Sequence, residues 1–300
     1  MSKGAAREHV ASQKWTRFIL PVYYWLVVAY LCSPIVVMIA FGFNNVPGRV
    51  NAKWYGLTLN WYRDLFSSPG LTRALLTTLL LATMATVIST VIGAFLGLAM
   101  GRHRFVGAAL VGFVMFLAIS SPEIVDGSSQ LVWYVRLSKV SIGPIHPFAL
   151  GFPTILWSHV MFCIAFVAIT VRARVAGLDG SLEEAAQDLF ATPVKTFTKV
   201  TLPLIMPGVM AGALLAFALS IDDFVISSFV RGHTVTFPIW VYGSAKVGIP
   251  PQVNVMGTLL FVGGLSAAAV SAVLPKFSQW RAGKRLERER LERATAAAAG

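Results

Sequence analysis

Apolar positions in this chain gather in long blocks, and polar positions gather in the gaps between them. The blocks run from Phe18 to about Phe43, Leu71 to Met100, Phe105 to Ser121, Phe148 to Val171, Leu202 to Ile221, and Val255 to Leu274. A helix of about 20 apolar residues crosses a hydrocarbon core about 30 Å thick. The pattern therefore predicts an all-α membrane protein with six transmembrane helices. The first block is too long for a signal-peptide core and no small-residue cleavage site follows it, so it reads as an uncleaved span. The organisation expected is a polar N-terminal segment, 1–17, a six-helix region, 18–275, and a charged tail, 276–300.

The gaps differ in character. Asn44–Pro69 is a polar loop carrying Trp54, Tyr55, Trp61 and Tyr62, residue types that favour the membrane–water interface. Pro122–Pro147 mixes charged and apolar residues and predicts a short helix near the interface. Arg172–Thr201 is the most polar internal stretch. Asp222–Asn254 is irregular, punctuated by Gly232, Pro238, Gly248, Pro250 and Pro251. In the tail, Arg285/Glu289 and Glu289/Arg293 sit four apart, as on one helical face.

Composition agrees: 56% of the 300 residues are hydrophobic and only 13% are charged, outside the range of ordinary soluble domains. The net charge of +12 is concentrated at the chain ends and in short loops. Placing both termini in the cytoplasm puts 17 of the 25 basic residues inside, among them Lys3, Arg102, Arg172, Arg174, Lys195 and Lys199, as the positive-inside rule requires. No basic stripe interleaved with aromatics appears, which argues against a nucleic-acid partner. Cys32 and Cys163 lie within apolar blocks and imply neither a disulfide framework nor a metal site. The five histidines show no metal-ligand or triad spacing, which argues against an enzyme. Gly93, Gly97 and Gly101, and Gly208 and Gly212, recur at spacing four. Such glycines allow close helix approach, within one bundle or at a subunit interface.

The segment Leu182-Glu183-Glu184-Ala185-Ala186-Gln187-Asp188-Leu189-Phe190-Ala191-Thr192-Pro193 predicts a short helix over about 181–193. Ser181 stands as its N-cap, Glu184 follows three residues later as in a capping box, and Pro193 is its stop. A loop of about thirty residues is far longer than a connection between spans needs. With Val200, Leu202 and Pro203, the segment resembles the Glu-Ala-Ala motif in permeases of binding-protein-dependent ABC importers. Glu184, Ala185, Ala186, Val200, Leu202 and Pro203 fall in register; Phe190 stands where that motif has glycine. The resemblance covers residues 60 to 275. It implies a type I permease whose short cytoplasmic helix docks on a separate ATPase, with Glu184, Ala185, Ala186, Asp188, Phe190, Leu202 and Pro203 as coupling residues. The chain has no phosphate-binding loop of the form G-x-x-x-x-G-K-[ST], so no cofactor is expected in it; ATP and Mg²⁺ would belong to the ATPase.

Charges next to apolar spans usually mark function. Glu123 and Asp126 follow the third block, and Asp222 and Asp223 the fifth. On the expected topology all four lie toward the outer face, where carboxylates favour a cation and repel anions. The stretches Pro122–Val125, Leu219–Phe229, Gly56–Tyr62, Lys246–Ile249 and Pro251–Asn254 resemble those of spermidine/putrescine permeases, specifically the second permease of such systems. That resemblance implies a polyamine importer of the bacterial inner membrane. Its other parts would be a sister permease, two ATPase subunits and an external polyamine-binding protein. Trp54, Trp61 and Tyr62 join Glu123, Asp126, Asp222 and Asp223 as pathway candidates; cation–π contact and interface anchoring both fit the aromatics. Alternatives are a permease of the same type for another cation, an amino-acid derivative or ferric iron, a secondary transporter, or a passive scaffold.

Overall fold

A computed structural model describes residues 3–48, 50–103, 105–139, 148–266, 268–270 and 273. Arg104 and the charged tail from Lys276 lie outside the described residues. The described chain is helical apart from loops, turns and one isolated bridge between Asn44 and Leu57. It divides into two compact units.

The first unit holds α1 (Lys3–Phe41), the polar loop with α2 (Asn60–Arg63), and the first part of α12 (Pro251–Val270), the helix that follows α11 (Phe237–Ala245) in the chain. The apolar stretch of α1, Ile19–Phe41, is long enough to cross a membrane. Its Tyr23, Trp25 and Tyr30 are exposed, as befits a surface facing lipid or another chain. Gly257 on α12 lies against Met38 on α1: a Cβ there would sit 2.8 Å from Sδ. The loop is organised by Asn44, which is fully buried. Asn44 Nδ2 donates to Asn51 Oδ1 (2.7 Å) and Lys53 O (2.6 Å), and its Oδ1 accepts from Tyr55 N (2.7 Å). A buried amide needs such a full set of partners.

The second unit is built on α3 (Pro69–Arg102), α6 (Phe152–Ala176) and α9 (Leu202–Asp222). α6 is the central element: Ile155, Val167, Val171 and Val175 are buried, and the core clusters form around them. The glycines explain how closely the helices approach. A Cβ on Gly97 would lie 2.5 Å from Ala168 O, and one on Gly212 3.2 Å from Val167 Cγ1. Their role is packing inside this bundle.

Among the described residues, five helices are long and apolar enough to span, and a sixth crossing arises if a bent pair counts as one. That pair replaces the expected third span. Gly107 adopts φ 97° just before α4 (Ala108–Ser120), which has only 13 residues, about 20 Å of helix against a core of about 30 Å. At Ser121-Pro122 the chain turns by 108° into α5 (Glu123–Leu137). Pro122 has no N–H to continue α4. The interfacial helix expected in this stretch is α5, which packs Gly127 against Ile226 and Phe229 of α10 (Val225–Val230).

Candidate functional site

Polar groups concentrate at the two ends of α9. At its N-terminal end lie α7 (Ser181–Asp188), α8 (Pro193–Thr196) and a wide π-helical turn, Phe197–Thr201, that leads into α9. The start of α7 differs from the expected capping box. Asp179 caps it: Oδ1 accepts from Ser181 N (3.0 Å) and Oδ2 from Ser181 Oγ (2.7 Å). Those two bonds hold the Asp179 carboxyl below its ordinary pKa. Ser181 itself is the first helical residue. An aspartate two residues ahead satisfies the free amides better than a serine whose hydroxyl is already donated.

The helix stops well before Pro193. Phe190 N donates to Gln187 O (2.9 Å) and Ala191 N to Ala186 O (3.1 Å), the paired bonds of a Schellman motif with Phe190 at its left-handed position. Phe190 has φ 59°, the one described non-glycine residue with positive φ. The left-handed conformation costs an L side chain about 1–2 kcal/mol, a cost that glycine avoids. Phe190 is 96% exposed, and Leu182, Leu189 and Val194 are exposed beside it. Glu184, Ala185 and Asp188 are also exposed, Ala186 is half-buried, and Leu202 and Pro203 begin α9. The segment thus presents acidic and apolar side chains outward. Sequence reasoning passed over Glu183, which faces the bundle instead: its Oε1 accepts from Thr201 Oγ1 (2.8 Å) and lies 3.3 Å from an Arg102 guanidinium nitrogen.

At the other end of α9 the adjacent aspartates part company. Asp222 is exposed. The Asp223 side chain is only 6% exposed; it accepts from Ile226 N (3.3 Å) and Ser227 N (2.8 Å), capping α10. His159 Nε2 lies 3.1 Å from Asp223 Oδ2 and 3.0 Å from Ser227 Oγ, while Nδ1 lies 2.7 Å from Ser220 Oγ. A carboxylate only accepts, so the network assigns a proton to Nε2. Ser220, His159 and Asp223 form a chain like a hydrolytic triad, but His159 and Ser220 are each 2% exposed, out of reach of a substrate. The network ties α6, α9 and α10 together. Nothing in the spacing could reveal it, since His159 and Asp223 are 64 residues apart.

Glu123 opens α5 and is exposed; Asp126 accepts from Ser121 Oγ (2.7 Å) and braces the bend after α4. α5, which carries Glu123 and Asp126, packs on α10, whose start Asp223 caps, and Asp222 ends α9 beside it, so the structure brings all four acidic candidates to one end of this unit. Within the unit, among the described residues, no lysine or arginine pairs with Glu123, Asp126 or Asp222. The aromatic candidates belong to the first unit. Trp61 Nε1 donates to Asn44 O (2.7 Å), Trp54 meets Phe41 edge-on at 6.1 Å, and Tyr62 lies over Phe43 at 4.8 Å. Burial raises the Tyr62 phenol above its ordinary pKa.

Apolar spans joined through one helical segment that stands out from the bundle define the class: a multi-pass membrane protein, all-helical among the described residues. Residues 89–277 match the family model described as binding-protein-dependent transport system inner membrane component. The chain belongs to that family. It is 37% identical over 249 residues to the spermidine/putrescine transport system permease protein PotC of Escherichia coli K12, covering 83% of this chain and 90% of that one. It is 34% identical over 264 residues to the putrescine transport system permease protein PotI of the same organism, covering 87% and 89%. Among solved structures, a bacterial alginate ABC transporter in complex with alginate pentasaccharide-bound periplasmic protein superposes with a TM-score of 0.63 at 17% identity, over 88% of this chain and 94% of that one. The MetNI methionine ABC transporter gives 0.54 at 20% identity, over 68% and 94%. The fold is that of an all-α type I ABC importer permease.

Proposed function

We propose that this chain is one of two permease subunits of an ATP-driven importer for polyamines such as putrescine and spermidine. The sister permease completes the path, a pair of ATPase subunits hydrolyses ATP, and an external binding protein delivers the cargo. Both termini and α7 face the cytoplasm, and Glu184, Ala185 and Asp188 of α7, with Phe190 just past its end, form the face that meets the ATPase. Closure of the ATPases on ATP moves α7, and the spans alternate between outward- and inward-open states, an equilibrium that each ligand biases by its differential affinity.

The observation that carries the substrate class is the gathering of carboxylates at the α5 and α9 ends, where Glu123 and Asp222 are exposed without a basic partner from their own unit among the described residues. A carboxylate and an ammonium about 4 Å apart attract by about 4 kcal/mol at an effective dielectric of about 20. A linear polycation offers several ammonium groups at intervals and passes from one carboxylate to the next. Phosphate and organic acids are repelled. Asp223 enters this reading differently: held by His159, it fixes the corner that presents Asp222.

The test is uptake of radiolabelled putrescine and spermidine by proteoliposomes holding the assembled transporter. Asp222→Asn should lower uptake about tenfold, the effect of about 1.4 kcal/mol, with assembly unchanged. Wild-type uptake by Asp222→Asn, or equal competition by an organic acid and a polyamine, would overturn the reading.

A further inference from the structure

Glu183 holds α7 to the bundle, and no motif singles it out. Its Oε1 accepts from Thr201 Oγ1 (2.8 Å), in the π-helical turn that opens α9. The same oxygen lies 3.3 Å from one guanidinium nitrogen of Arg102, the last residue of α3. The other terminal nitrogen of Arg102 donates to Leu178 O (3.2 Å), in the turn between α6 and α7. One carboxylate and one guanidinium thus join α3, α7, the α6–α7 turn and the start of α9.

The rest of α7 offers little attachment, since none of its residues is buried. Its neighbours along the chain are compliant: Gly177 and Gly180 precede it, and the Leu189–Thr192 turn follows it. A push on α7 would rotate it about these flanks unless something fixed it to the spans. Successive residues on a helix point about 100° apart. That separation lets Glu184 face outward while Glu183 faces Arg102 and Thr201.

The geometry points to Glu183, paired with Arg102 and Thr201, as the positioning residue that passes displacement of α7 to α3 and α9 together. This inference rests on the reading that α7 engages a separate ATPase. The clamp is half-sheltered, with side-chain exposures of 19% for Arg102 and 24% for Glu183. It is wet enough to exchange partners and short enough to carry force.

The experiment uses the full transporter, copurified with its ATPase and reconstituted with the binding protein. It reads labelled spermidine imported per ATP hydrolysed. Glu183→Gln keeps the shape but loses the charge pairing; it should retain the ATPase subunit in the complex and lower the transport ratio at least fivefold. Arg102→Glu should do the same. The double variant Glu183→Arg with Arg102→Glu restores an ion pair in reverse, and should recover at least half of the wild-type ratio. Retention of the ATPase in each variant complex separates lost coupling from a merely structural lesion, which reversal would repair as well. An unchanged ratio in Glu183→Gln, or a double variant no better than the singles, overturns the clamp while leaving the parent reading intact. A wild-type complex that purifies without any ATPase overturns both.

Discussion

The two ends of α9, about 31 Å apart along 21 residues of helix, are both organised around one carboxylate, yet they are built to different standards. At the α10 end, Asp223 and His159 have side-chain exposures of 6% and 3%, and the cluster includes Ser220 and Ser227, both buried. At the α7 end, Glu183 and Arg102 are 24% and 19% exposed, and Arg102 Nε is buried without a partner among the described residues. A fully partnered network in a dry interior has one arrangement, because any other leaves a charge stranded. A half-wet pair can let go, since water takes the place of either partner at small cost. The comparison identifies the α10 end as a fixed corner and the α7 end as an adjustable joint, an arrangement suited to a lever that pivots at one end and is driven at the other.

The largest expected effect comes from breaking the fixed corner. His159→Ala leaves the buried Asp223 carboxylate to the α10 amides and Ser227, one donor short, which should cost about 1–3 kcal/mol. Thermal unfolding of the detergent-solubilised complex would read this as a large fall in Tm or as loss of assembled protein. His159→Gln, which retains a donor, should recover part of the loss. A His159→Ala complex that melts within a degree or two of wild type would show that the corner is not held by this network.

The adjustable joint should respond far less in stability. Arg102→Gln removes a partly exposed ion pair, worth about 0.2–1 kcal/mol, so the same melting experiment should show a small shift. Stability losses of equal size at Arg102 and His159 would erase the distinction between the two ends.

Local patterns on the chain announce some of this and conceal the rest. Run length was enough to place α3, α6 and α9, because an apolar block of the right size has few places to go other than a bilayer. The short helix expected over 181–193 was legible at its start because its acidic first turn is a local signal, but its end at Asp188, well before Pro193, was not. The α4–α5 bend was not: Phe105–Ser121 passes for a span by composition, and only the left-handed Gly107 and the turn at Pro122 shorten it. The two polar networks join residues 64 and 81 positions apart, and no periodicity within one helix reports a partner on another. The adjacent pair Asp222 and Asp223 is instructive for the same reason. Two identical side chains in sequence diverge because only the second is aimed at α6 and the start of α10.

The most local expected effect lies within the joint itself. Phe190 holds the left-handed position that ends α7, and its ring, 96% exposed, makes no packing contact that would offset the strain. Phe190→Gly should therefore stabilise the end of α7 by about 1 kcal/mol, and slow hydrogen exchange of the Ala191 amide, which closes the Schellman motif, by about fivefold. Phe190→Ala separates the two properties: it removes the ring and keeps a Cβ at positive φ, so its exchange rate should stay near wild type. Faster exchange in Phe190→Gly than in wild type would mean that the ring stabilises the turn, and that the joint owes part of its geometry to an aromatic contact rather than to backbone hydrogen bonds alone.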